Sequence, residues 1–180
     1  MYVYETIEQR KQNADTPGPP AVRTRVPVTL VTGYLGSGKT TLIAALMRRD
    51  GMAGTAVIVN ELAEVGIDQS VIAESASGDV VLLSNGCLCC ALGTDLSNAV
   101  HRLLDFDRPD GQKTTRILIE TSGAADPGPI MRQVCFEPLL RSKLLYGGVL
   151  CLFDGAFGEG LLERDAVGYR QIGMADMILI

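Results

Sequence analysis

The chain has 180 residues, 47% of them apolar and 21% charged, with a formal net charge of −5, few aromatics and no tryptophan. That length supports one domain with a substantial core, and an acidic balance without a lysine/arginine run speaks against a nucleic-acid partner. The N-terminus lacks an apolar signal-peptide core, and no apolar run approaches the ~20 residues that span a bilayer, so no membrane partner is expected. Five cysteines, an odd number with three of them within residues 87–90, do not suit a secreted disulfide framework. A cytoplasmic protein is expected, where clustered thiols point to metal binding or redox chemistry.

Residues 1–25 are polar and contain "TPGPP", which reads as a flexible extension. A single domain is expected over 26–180. Its first apolar run, "VPVTLVTG" (26–33), is followed by runs of strand length at 55–60, 79–85, 116–121 and 148–154. These are nearly continuous in Val, Ile and Leu rather than alternating, as parallel strands buried on both faces require. Helical segments fall between most of them. Residues 40–49 place Leu42, Ile43 and Leu46 on one stripe, and 95–106 do the same with Leu96, Val100, Leu103 and Leu104. A third helix begins at "DPGP" (126–129), where proline suits a first turn, and a fourth is expected over roughly 159–173. The alternation predicts an α/β fold: a central, mainly parallel sheet with helices on both faces, three layers in all. The sequence stops at "ADMILI", inside an apolar run that reads as a further strand, as a fragment of a longer domain would.

Between the first strand and helix, "GYLGSGKT" fits G-x-x-x-x-G-K-[ST] from Gly33 to Thr40. Gly33, Gly36 and Gly38 let the backbone curl so that its N–H groups point at phosphate oxygens. Tyr34, Leu35, Ser37 and Thr41 belong to the same cradle, and the helix adds its positive N-terminal end. Lys39 is placed to reach the β- and γ-phosphates, and the Thr40 hydroxyl to coordinate Mg²⁺. The bland reading is a glycine-rich turn, but the motif follows a buried strand and opens a helix, the context it needs. Further on, "IETSG" (119–123) ends an apolar strand with Glu120, a candidate Mg²⁺ partner, and continues to Gly123, whose N–H can touch a γ-phosphate. That is the D-x-x-G logic of GTP switches with glutamate in place of aspartate. Alone it could be a strand end and a turn.

"NGCLCC" supplies Cys87, Cys89 and Cys90. Cys87 and Cys89 share a side of an extended chain, and Cys90 joins them only if the chain turns. Zinc usually takes four ligands, so another must come from elsewhere. Glu61, Glu64 and Asp68 of "NELAEVGID" (60–68) are candidates, because loops that follow parallel strands gather at one sheet edge. Structural burial or redox chemistry of the thiols and a solvated acidic loop stand as alternatives. Cys135 and Cys151 are expected in the core, and His101 on the polar face of its helix with Thr94, Asn98 and Asp105.

With P-loop, acidic loop, C-x-C-C and "ETSGAADP" in this order, residues 26–180 resemble the CobW-type GTPases. These are P-loop metallochaperones related to the GTPases that insert nickel into urease and hydrogenase. The family's segments read approximately GFLGAGKTT, NEFGEVGID, NGCICC and ETTGLADP. The resemblance implies binding and slow hydrolysis of GTP to GDP with Mg²⁺, and Zn²⁺ or Co²⁺ at Cys87, Cys89 and Cys90; of the acidic-loop candidates, Glu64 is the choice for the further metal ligand. It matches Glu120 to the family's Walker B glutamate, and Glu61 is the choice for orienting the attacking water or the Mg²⁺ shell. A guanine nucleotide, a transition metal and a client metalloprotein are the implied partners; a homo-oligomer is left open. The chain departs from the pattern at Ala63, which replaces a glycine, at Val59, where some members carry an acid, and in having no histidine-rich stretch. The guanine-reading N-K-x-D would follow the strand at 177–180 and is not in the sequence. A P-loop ATPase or kinase with structural cysteines, or a metal-binding module without turnover, is the rival reading.

Overall fold

The computed structural model describes residues 25–60, 80–82, 92–105, 113–156, 158–162 and 165–180. Among these described residues six strands, β1 (Val26–Gly33), β2 (Thr55–Asn60), β3 (Val80–Leu82), β4 (Arg116–Thr121), β5 (Leu144–Leu152) and β6 (Met177–Leu179), form one sheet in the order β3-β2-β4-β1-β5-β6. Every pairing is parallel. Between them lie α1 (Lys39–Met47), α2 (Leu92–Asp105), α3 (Gly128–Phe136), α4 (Pro138–Lys143), α5 (Gly158–Leu162) and α6 (Ala166–Gly173). Among the described residues no helix is long and apolar enough to cross a membrane.

Side chains alternate across the sheet, so each central strand feeds two cores. Val28, Leu30, Ala56, Ile58, Ile117 and Ile119 pack on one face against Leu96, Val100 and Leu103 of α2, Ile130 and Val134 of α3 and Leu140 of α4. On the opposite face Val31, Val57, Val59 and Leu118 meet Ile43, Ala44 and Met47 of α1. The expected three layers are present. Parity decides a further point: Glu120 shares its face with Leu118, the face that α1 covers.

Local details depart from the periodicity. In α1 the buried stripe is Ile43, Ala44 and Met47, with Leu42 and Leu46 only partly covered. Its sequence is apolar nearly all round, so packing rather than pattern chose the face. The helix expected over 159–173 is two helices. Asp165 adopts an extended conformation and its carboxylate accepts the Val167 N–H at 2.8 Å, a side-chain cap that starts α6 afresh. Pro138 opens a short helix that apolar periodicity did not announce, and β5 begins at Leu144 rather than 148. The extension at 1–24 and most of the run at 79–85 lie outside the described residues.

The edge strand β6 exposes Met177, Ile178 and Leu179. It is tied to β5 by Asp176, whose carboxylate accepts both the Tyr146 hydroxyl and the Val149 N–H at 2.8 Å. Burial, then the bond to Asp176 and that carboxylate's charge, pushes the Tyr146 phenol up to about 12. A folded pKa above the unfolded value of about 10 means that this contribution is full below about pH 10 and is lost as pH rises through about 12. Phenolate absorbance should therefore show a late-ionising tyrosine that Tyr146→Phe removes and Asp176→Ala shifts back toward neutrality.

Candidate functional site

Val31 of β1 pairs with Glu120 of β4, and Asn60 of β2 pairs with Thr121. Three parallel strands thus end level, and the Thr121 hydroxyl donates to the Thr32 hydroxyl at 3.0 Å across the last rung. The chain leaves β1 through Gly33 at φ 140, where a Cβ would stand 2.3 Å from the Leu152 carbonyl oxygen. Only glycine fits between the loop and β5. A turn follows, closed by the Ser37 N–H on the Tyr34 carbonyl at 3.2 Å. Gly38, at φ 88, then enters α1 without a side-chain cap. The N-terminal end of α1 carries the partial positive charge of the helix, which favours an anion.

Lys39 is buried, and its ammonium donates to the carbonyls of Gly33 at 2.9 Å and Tyr34 at 3.0 Å, which hold it across the loop. The Thr40 hydroxyl donates to Glu120 Oε1 at 2.6 Å, the length of a hydroxyl on a carboxylate. Glu120 is 1% exposed. Burying such a group costs several kcal/mol unless positive charge or hydrogen bonds offset it. A hydroxyl and a carboxylate at this spacing are hard oxygen donors of the kind a small divalent cation takes. Beyond Thr121 a turn closes with the Ala125 N–H on the Ser122 carbonyl at 3.0 Å and brings Gly123 against the loop. A Cβ on Gly123 would lie 2.6 Å from the Leu35 nitrogen.

The structure thus brings together Gly33, Tyr34, Leu35, Gly36, Ser37, Gly38, Lys39, Thr40, Glu120 and Gly123; Thr41 is exposed on the first turn of α1. Together they can hold a polyphosphate with a divalent cation. Cys87, Cys89, Cys90, Glu61, Glu64 and Asp68 lie outside the described residues, and among the described ones no three His, Cys, Asp or Glu side chains converge as a metal site. Cys151 is in the core as expected, its thiol pushed up by burial with the Lys39 charge pulling the other way. Cys135 is only half-buried, because α3 turns Ile130 and Val134 inward instead. His101 is at the surface, its Nδ1 2.9 Å from Lys143 Nζ and 3.4 Å from Asp105.

Two residues at the site escaped the sequence reading. Asp165 accepts the Tyr34 hydroxyl at 3.3 Å. Gln171 is 1% exposed and donates to the carbonyls of Gly123 and Ala125, each at 3.1 Å. A glutamine inside a short amphipathic helix carries no motif, and its only signal is a polar residue at a core position.

Residues 27–180 match the profile of the CobW/HypB/UreG nucleotide-binding domain. The chain is 36% identical over 155 residues to the zinc chaperone YjiA of Escherichia coli, covering 86% of this chain and 48% of that protein. It is 35% identical over 177 residues to the zinc-regulated GTPase metalloprotein activator 1 of Saccharomyces cerevisiae, covering 87% and 41%. The chain spans about half the length, or less, of these curated relatives. Among solved structures, the Zn(II)-bound YjiA GTPase from E. coli superposes with a TM-score of 0.63 at 27% identity, over 86% of this chain and 48% of that one. The cell division protein FtsY of Thermotoga maritima, with a TM-score of 0.54 at 18% identity over 89% and 53%, shares the fold.

The contact between Gly123 and Leu35 sets a test. Gly123→Ala should force the two loops apart by several tenths of an ångström, weakening triphosphate binding roughly tenfold or more while costing about 1–3 kcal/mol of stability. Thermal melting together with titration of a non-hydrolysable triphosphate checks it. A fully stable variant with unchanged affinity would show that the loops do not need this approach.

Proposed function

The chain belongs to the CobW/HypB/UreG nucleotide-binding family, and on that premise we propose that it is the GTPase part of a cytoplasmic metal chaperone. In this reading it binds and slowly hydrolyses GTP, and its nucleotide state governs a transition metal, zinc or cobalt, destined for a client metalloprotein. The observation that carries the reading is the 2.6 Å contact between Thr40 and buried Glu120 at the mouth of the phosphate loop. Thr40 directly, and Glu120 through its water shell, would hold Mg²⁺. Bound there, Mg²⁺ supplies charge stabilisation to the phosphate oxygens. The chain's own work is positioning and electrostatics. Loop N–H groups and the α1 terminus hold the β-phosphate, the Lys39 ammonium moves from the loop carbonyls to the phosphates, and the Gly123 N–H meets the γ-phosphate.

The strand ends support the rest of the proposal. Asn60 pairs with Thr121, so the chain carrying Glu61 leaves β2 beside Glu120, which suits a residue that orients the attacking water. Val59 pairs with Leu82, so the chain carrying Glu64 and the chain carrying Cys87, Cys89 and Cys90 depart from neighbouring strand ends. The named zinc chaperones among the relatives support a metal cargo at those thiolates, with Glu64 as the further ligand. Preference for guanine rests on the relatives named as GTPases.

Lys39→Ala should lower triphosphate affinity on the order of a hundredfold, the loss of a charged hydrogen-bond donor, with little change in melting temperature. Unchanged affinity in a folded variant would sink the phosphate site. The link between sites is tested separately, by zinc affinity measured against a chelator in GDP and in a non-hydrolysable GTP analogue. The two affinities should differ, and zinc must change nucleotide affinity by the same factor. Cys89→Ser should weaken metal binding severely. Glu64→Gln should weaken it less but abolish the nucleotide dependence; a Glu64 variant that keeps the difference would exclude the acidic loop as the link.

A further inference from the structure

Helix α6 holds both the P-loop and the turn after β4. Asp165, at its start, uses one carboxylate oxygen to cap the helix at Val167 and the other to accept the Tyr34 hydroxyl of the P-loop. In its last turn, Gln171 reaches the turn after β4. Both of its contacts there are carbonyl oxygens, so the amide must present its NH₂, and each hydrogen serves one carbonyl. Arg170 stands 3.6 Å from Asp126, and the Met174 side chain lies against Gly128. The turn that carries Gly123 is thus clasped between Leu35 on one side and Gln171 on the other.

We propose that Gln171 is the positioning residue of the γ-phosphate-sensing turn: its two hydrogen bonds set where the Gly123 N–H stands and make α6 move with it. This rests on the nucleotide reading above. The physical reason lies in what else holds the turn. Past Thr121 the sheet ladder has ended, and the turn's own bonds include the Ala125 N–H on the Ser122 carbonyl and the Ala124 N–H on the Ser122 hydroxyl, both within three residues. Gln171 anchors the carbonyls of Gly123 and Ala125 from outside, in a buried setting where such bonds are hard to replace with water. A shift of the turn toward a γ-phosphate must therefore either carry α6 along or break both bonds. Because Asp165 at the start of α6 also holds Tyr34, and residues 174–176 connect α6 to β6, a displacement of the turn would pass to β6 through this one short helix. Gln171 touches no phosphate position, so it acts through the turn and is not a catalytic residue.

Full-length protein carrying Gln171→Met keeps the volume and loses the donors; Gln171→Glu sets a carboxylate against two carbonyl oxygens. Both should lower affinity for a non-hydrolysable GTP analogue, Met by roughly tenfold and Glu by more, while GDP affinity stays within about twofold. Amide hydrogen exchange over 122–126, measured without nucleotide, should rise in both variants. Equal losses for the two nucleotides, unchanged affinity for both, or unchanged exchange at the turn would overturn the proposal. Wild-type protein that binds neither nucleotide would overturn the functional reading instead. The two failures are distinct because the exchange measurement uses no nucleotide.

Discussion

Val31 of β1 stands opposite Glu120 of β4, and because the strands are parallel this pairing sets the loops that follow them at the same height. The rest of the site follows from it. Strand parity puts Glu120 on the face covered by α1, and α1 begins only six residues after β1 ends, so its second residue, Thr40, comes within 2.6 Å of that carboxylate. A one-residue slip of β4 would turn Glu120 into the opposite core and bring Ile119 or Thr121 to the α1 face. The flanking pairs, Thr55 to Asn60 against Arg116 to Thr121, and the buried Ile and Val side chains on both faces, hold the register against such a slip.

Close approach is the second constraint. The P-loop lies against the end of β5 at Gly33 and against the Ser122–Ala125 turn at Leu35, and in both places a methyl group would collide with backbone. Backbone surfaces in contact leave little room for adjustment, so these loops transmit displacement rather than absorbing it. Their outer sides are held by side chains, the hydroxyl of Tyr34 on Asp165 and the amide of Gln171 on two carbonyls.

β2 lies directly beside β4 on the side away from β1, and β3 lies beyond β2, both parallel to it. Fold and family do not by themselves make the function: FtsY shares the architecture at 18% identity.

Continuous Val, Ile and Leu runs determined the strands and their burial on both faces, and the glycine spacing with Lys39 and Thr40 determined the phosphate loop, because these features are local and need no partner to be read. Glu120 was legible as an acid at a strand end. The break at Asp165 was not, since a capping aspartate and an interior one look alike until the chain bends. The half-buried position of Cys135 and the inward face of α1 were decided by packing, where several apolar faces competed for one core. Gln171 was decided entirely by tertiary structure: it lies 48 residues from Gly123 in the chain, and only folding brings its amide to the Gly123 carbonyl, which must be paired because it is buried.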